Sequence, residues 1–160
     1  MKTLNTFIQE KFIITKNTKR IIPVQTGVEF VNKYNFNVID KTWQGDPYKY
    51  EIPDNTAKKI LQIIHNNDQE YIDKIKKYIK QYTQLPLPKN KIISFEPTSH
   101  PDHGYIKLHT YDELLATVRI DIENNMPAVM EFSINLLSND STDHRKIMYV
   151  VLDYILNDIK

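Results

Sequence analysis

LLATVRIDIENNMPAVMEFSINLL, residues 114–137, changes character at almost every step. In its first half Ala116, Val118, Ile120 and Ile122 alternate with Thr117, Arg119, Asp121 and Glu123. In its second half Met130, Phe132, Ile134 and Leu136 alternate with Glu131, Ser133 and Asn135. Successive side chains of a strand leave the backbone on opposite sides, so a period of two predicts a strand with one dry face. Asn124-Asn125-Met126-Pro127 is turn chemistry, and the two runs therefore predict an antiparallel hairpin.

Working outward, IISFE at 92–96 and YIKLHT at 105–110 add two more strands. The expected sheet has about four antiparallel strands, all in the C-terminal half. SNDSTD at 138–143 supplies caps for a final helix, on which Ile147, Met148, Val151, Leu152, Ile155 and Ile159 make an apolar stripe. That helix should cover the sheet's dry face. The fold class is α+β.

Upstream lies a helical pair. Asp54, Asn55 and Thr56 are capping types before Ile60, Leu61 and Ile64, and HNND at 65–68 ends this helix and caps the next. Tyr71, Ile72, Ile75, Tyr78, Ile79 and Tyr82 then share one helical face. LPLP at 85–88 stops that helix with a stiff connection, and 83–91 marks a sub-boundary. Residues 21–52 are less regular. VEFVNKYNFNVIDKTW, 28–43, reads as one or two short strands, and GDPYKYEIP, 45–53, as a turn.

At the front, Leu4, Phe7, Ile8 and Phe12 follow helical spacing, and TKNTKR at 15–20 is a basic link. A lone helix this short is marginal in water, so its stripe needs a surface. Residues 1–20 thus form an amphipathic helix and link ahead of one α+β domain, 21–160.

The 160 residues are 41% hydrophobic and 26% charged, enough to bury a core. With no cysteine, disulfides and thiolate metal sites are excluded, which fits a reducing compartment or a particle interior. No run of about 18 apolar residues exists to span a membrane, and the polar Asn5, Thr6, Gln9 and Glu10 argue against a secretory signal. The net charge of +1 hides a split: residues 1–91 carry sixteen basic and nine acidic side chains, residues 92–160 five and eleven. Folding the halves together would neutralise both, and any remainder would make a polar patch.

Chemistry has few places to live. TSHPDHGYIKLH, 98–109, brings His100, Asp102, His103 and His109 close in sequence, and these are metal-ligand types. Its Pro and Gly make it read as an exposed turn, so no metal is assigned. Asp121 and Glu123 read as solvated surface, and His144 as part of a helix start. The three glycines are too scattered for a phosphate loop, and no nucleophile elbow is present. The expectation is a non-enzymatic protein without a cofactor. KIKKYIKQY, 74–82, sets Lys74, Lys76, Lys77 and Lys80 outside the apolar stripe, a secondary candidate for phosphate or nucleic-acid contact.

The opening MKTLNTFIQE resembles the capsid-targeting leaders of internal proteins in tailed bacteriophages, among them crAss-like phages of gut Bacteroidetes. Met1, Lys2, Thr3, Phe7, Ile8 and Glu10 carry the resemblance, and Ile8-Gln9-Glu10 matches the aliphatic-any-Glu pattern cut by prohead proteases. Leu4 stands where such leaders often have an aromatic residue. The resemblance implies a virion-associated or packaged protein, located in the virion or the host cytoplasm. Leu4, Phe7, Ile8 and Phe12 would bind a capsid or scaffold partner, and Ile8 and Glu10 would mark a processing site. The residues alone also allow a small host-directed inhibitor, a nucleic-acid-associated module, or a His/Asp metal-dependent hydrolase.

Overall fold

A computed structural model describes residues 22–160. The expected helix bearing Leu4, Phe7, Ile8 and Phe12, the Ile8–Glu10 motif and the basic link lie outside the described residues. The elements run α1 (Gly27–Tyr34), β1 (Asn37–Lys41), β2 (Pro47–Ile52), α2 (Asp54–Asn66), α3 (Gln69–Tyr82), β3 (Ile92–Pro97), β4 (His103–His109), β5 (Leu114–Asp121), β6 (Ala128–Ile134) and α4 (Ser141–Asp158). The architecture is α+β: an antiparallel sheet with helices, the last at the C-terminus.

The sheet has six strands rather than about four, in the order β1-β2-β6-β5-β4-β3. The four C-terminal strands form a continuous meander, and the β1–β2 hairpin joins it through β6. The additional pair comes from residues 28–53. Residues 27–34, expected as strand, are a helix because Thr26 caps it, its hydroxyl accepting from Glu29 N at 3.1 Å. Glu29 in return accepts from Gln25 N at 2.9 Å, a reciprocal arrangement close to a capping box. PYKYEI, expected as a turn, is β2, with Tyr50 and Ile52 buried and Lys49 and Glu51 on the other face. Pro47 is tolerated because it begins the strand.

Register carries the core across the sheet. Phe95, Ile106, Val118 and Phe132 lie opposite one another on β3, β4, β5 and β6, and all are buried. The neighbouring row sets Gly104, Ile120, Met130 and Tyr50 side by side. Helix α2 lies over this face, and a Cβ on Gly104 would come within 3.0 Å of Ile64 and 3.2 Å of Leu61. Glycine here lets the helix approach the strand. Along α4 the expected Ile147, Met148, Val151, Leu152 and Ile155 are buried, but so are Tyr149, Val150, Asp153 and Leu156. This helix touches the sheet, α1 and α3, so its burial extends well beyond one stripe.

Asp153 is fully buried and charged, and four groups converge on it. Val24 N donates at 3.2 Å, Lys33 Nζ at 2.8 Å and Asn157 Nδ2 at 3.5 Å, and the Tyr34 hydroxyl makes a further short bond. Burial, then the bond to Asp153 and its charge, raises the Tyr34 hydroxyl far above the ordinary tyrosine range, so it remains a donor. This carboxylate pins residues 24–34 to the last helix. Asp153→Ala leaves Val24 N–H without its acceptor and Lys33 without its counter-charge, while the Tyr34 hydroxyl keeps only the longer bonds to the residue-153 carbonyl oxygen at 3.2 Å and Asn157 Oδ1 at 3.4 Å. The expected cost is about 3 kcal/mol in urea unfolding, and a loss under about 0.5 kcal/mol would refute the clamp.

Gly27, the first residue of α1, sits against β2: an added Cβ would lie 2.7 Å from the Pro47 carbonyl oxygen and 3.1 Å from the Tyr149 hydroxyl. Helix propensity alone favours alanine there by up to about 1 kcal/mol. The close contact with backbone reverses that sign. Gly27→Ala should destabilise by about 1–3 kcal/mol, read as a lowered urea midpoint at unchanged slope.

Candidate interaction groove

Helix α3 begins at Asp68, whose side chain accepts from Glu70 N at 3.0 Å, and ends at Thr83. Its inner face carries Ile72, Ile75 and Ile79, all buried. Tyr71 and Tyr78 are half-buried, with rings 5.8 and 5.1 Å from that of Tyr154 on α4. Tyr82, expected in the same stripe, is 36% exposed because the stripe outruns its cover at the last turn. The tyrosines are therefore largely core material, and the lysines occupy the outer face.

Beyond the helix the chain doubles back and encloses a groove. The Thr83 hydroxyl donates to Ile79 O at 2.6 Å and accepts from Leu85 N at 3.1 Å, which turns the chain out of the helix. In the strap at 83–91, Leu85 and Leu87 are half-buried against the core while Pro86 and Pro88 face water. A turn closed by Lys91 N to Pro88 O at 2.9 Å leads into β3. Between α3 and this strap lies a cavity of about 680 Å³. Leu85, Pro86, Leu87 and Pro88 supply its apolar lining, and Lys76, Lys77, Lys80, Lys89 and Lys91 its charge.

Of the four lysines expected on the polar helix face, three line this groove, and Lys74 stands exposed outside it. Sequence reasoning misses Lys89 and Lys91, which are distant from the helical run. Their signal lies in the charged flank of the Leu-Pro repeat, a stretch that reads only as a connection.

The histidine-rich stretch does not gather. His100 and His103 stack with ring centroids 4.9 Å apart, and the His100 Nδ1 accepts from Asp102 N at 3.2 Å. His109 lies at the other end of β4, about 20 Å along a strand rising ~3.3 Å per residue. There its Nδ1–H donates to Thr110 O at 2.9 Å and its Nε2 pairs with the Ser94 hydroxyl at 2.9 Å. His65 of α2 joins the first group instead, bonding His103 O through Nε2 at 3.0 Å. Among the described residues no three His, Asp or Glu side chains are placed to hold a metal ion.

The sheet face that the described helices leave open is ionic. Register aligns Lys49, Glu131, Arg119, Tyr105 and Glu96 across five strands. Arg119 NH2 reaches Glu131 at 2.8 Å, and its Nε lies 2.9 Å from Asp121, off the direction of a hydrogen bond. Lys107 meets Glu96 at 2.5 Å. Asp121 is thus ion-paired, while Glu123 falls beyond the end of β5 and is exposed.

His144 is 1% exposed at the start of α4, its Nδ1 3.4 Å from the Ser138 hydroxyl and its Nε2 without a partner among the described residues. Burial first, then the charge of Lys91, lowers its pKa below the usual imidazole value, against the opposite pull of Asp140, Asp143 and Glu113.

No described helix is long and apolar enough to cross a membrane. Among known proteins, no family model matches this chain, and no curated protein or solved structure matches it either.

Because the folded imidazole resists protonation, the unfolded chain takes up the proton first as pH falls through about 6.5. Stability present at pH 7.5 should decline towards pH 5.5, by up to about 1.4 kcal/mol per pH unit for this one group. His144→Gln should flatten that part of the urea-midpoint profile. Superimposable wild-type and variant pH slopes would refute the assignment.

Proposed function

We propose that this is a non-enzymatic bacteriophage protein, packaged in or associated with the virion, that works by protein–protein contact. The carrying observation is the opening stretch: Met1, Lys2, Thr3, Phe7, Ile8 and Glu10 match a capsid-targeting leader, on an apolar stripe of Leu4, Phe7, Ile8 and Phe12. Such a stripe suits the helix-in-groove mode, in which residues one turn apart anchor in an apolar cleft of a capsid or scaffold partner. Glu10 would be the cleavage point, reached in the particle after assembly. Residues 22–160 are then the cargo or interaction module. The paired charges of the open sheet face are in keeping with a surface for contact rather than for making and breaking bonds.

A second reading, a host-directed binding module, draws support from the lysine-lined groove. That groove offers a recognition surface distinct from the leader.

Deleting residues 2–12 separates address from module. The shortened chain should keep its thermal midpoint within a few degrees, yet be depleted at least about tenfold from purified particles, a loss of ~1.4 kcal/mol in partitioning. When the undeleted chain is expressed, the product recovered from particles should begin at Lys11 by mass spectrometry, cut after Glu10. Undiminished incorporation of the deleted chain would overturn the address.

A further inference from the structure

We propose that the groove between α3 and the strap at 83–91 is a docking site for a short acidic segment of a partner protein, one that carries aliphatic side chains between its carboxylates. Three observations combine here.

Charge comes first. Lys76, Lys77, Lys80, Lys89 and Lys91 line one cavity, and among the described residues none of them forms an ion pair. Elsewhere the acidic half of the chain meets the basic one, as at Lys33–Asp153 and Arg145–Asp46. A concentration of one sign is repulsive in itself, and an incoming carboxylate relieves it while gaining a steered approach.

The lining selects among anions. Leu85 and Leu87 supply half-buried aliphatic surface and Pro86 and Pro88 exposed apolar surface, so an aliphatic side chain can leave water there. Among the described residues the lining has no aromatic ring on which a base could stack and no arginine fork for bidentate phosphate. Those absences favour an acidic peptide over a single-stranded nucleic acid. The cavity of about 680 Å³ is also in the size range of preformed ligand clefts.

Preorganisation is the third. Two prolines fix φ in the strap, and the Thr83 and Pro88 hydrogen bonds hold both its ends. Little order remains to be imposed on binding. The chain's own residues 1–21 are a poor occupant, since they carry five basic side chains and one acidic.

The test titrates the full chain into a fluorescein-labelled peptide of alternating glutamate and leucine, at moderate salt, reading anisotropy. Saturable binding is expected, weakened about tenfold or more when serines replace the peptide's leucines, and lost in the Lys76→Glu/Lys80→Glu/Lys89→Glu variant at an unchanged thermal midpoint. An oligothymidylate should bind more weakly than the peptide. The proposal is overturned by no saturable binding, by equal affinity for the serine peptide, or by indifference to the charge reversal. Tighter binding of oligothymidylate would assign the groove to nucleic acid instead. Concentration-dependent dimerisation that the same reversal abolishes would assign it to a second copy of the chain.

Discussion

The structure depends on one long-range ladder, the antiparallel pairing of β2 with β6. Lys49, Tyr50, Glu51 and Ile52 lie opposite Glu131, Met130, Val129 and Ala128. Without it the N-terminal hairpin would be an isolated pair of strands, which is marginal in water. With it, one sheet runs through both halves of the chain, and α1 gains a floor against which Phe30 is fully buried. The ring of Phe30 lies 5.2 Å from Tyr50, 5.4 Å from Tyr149 and 5.9 Å from Phe132, so strands and helices from both halves meet at one side chain. Asp153 completes the junction from the opposite direction. Its carboxylate accepts from the Val24 backbone N–H ahead of α1 and gives Lys33 of α1 a counter-charge.

Each element is legible in the sequence to the degree that its signal is local. Strands β3 to β6 can be read because one face is wet and the other dry, which imposes strict alternation. Helices α2 and α3 show through their apolar spacing and the Asn67-Asp68 junction, where Asn67 takes the left-handed conformation and Asp68 starts the next helix. Helix α1 reads wrongly as strand because Val28, Phe30 and Val31 are strand-favouring types, and the cap overrides that preference. The cap itself is visible as Thr26-Gly27-Val28-Glu29, with a Thr three residues ahead of a Glu. Strand β2 reads wrongly as turn because Gly45, Asp46, Pro47 and Pro53 bracket it with turn residues. Its alternation emerges only once β6 supplies a partner.

The candidate groove shows a different limit on reading. Its lysines on α3 are legible as a polar face, and its Leu-Pro strap as a stop. Neither reveals that the strap folds back beside the helix. That placement depends on Thr83 redirecting the backbone and on Leu85 and Leu87 finding the core. The half-burial of those leucines is a tertiary outcome, and only it turns a linker into the wall of a cavity.

The charge split between the two halves is settled differently in two places. On the open sheet face Arg119 is shared between Asp121 and Glu131, and Lys107 is held by Glu96. These five charges already have partners, while Lys49 and Glu51 on the same face form no ion pair among the described residues. A ligand ion at the centre of the sheet would therefore have to displace one partner before gaining another. Exposed pairs of this sort add little stability individually. Their effect is to leave the face close to neutral and hydrated, and, with the irregular register of edge strand β1, to discourage a stray strand from pairing there. At the groove no such compensation occurs among the described residues. Five like charges surround an apolar floor, and a ligand of opposite sign loses no existing partner on arrival. Two polar surfaces of one small protein thus differ less in how many charges they hold than in whether those charges are already spoken for.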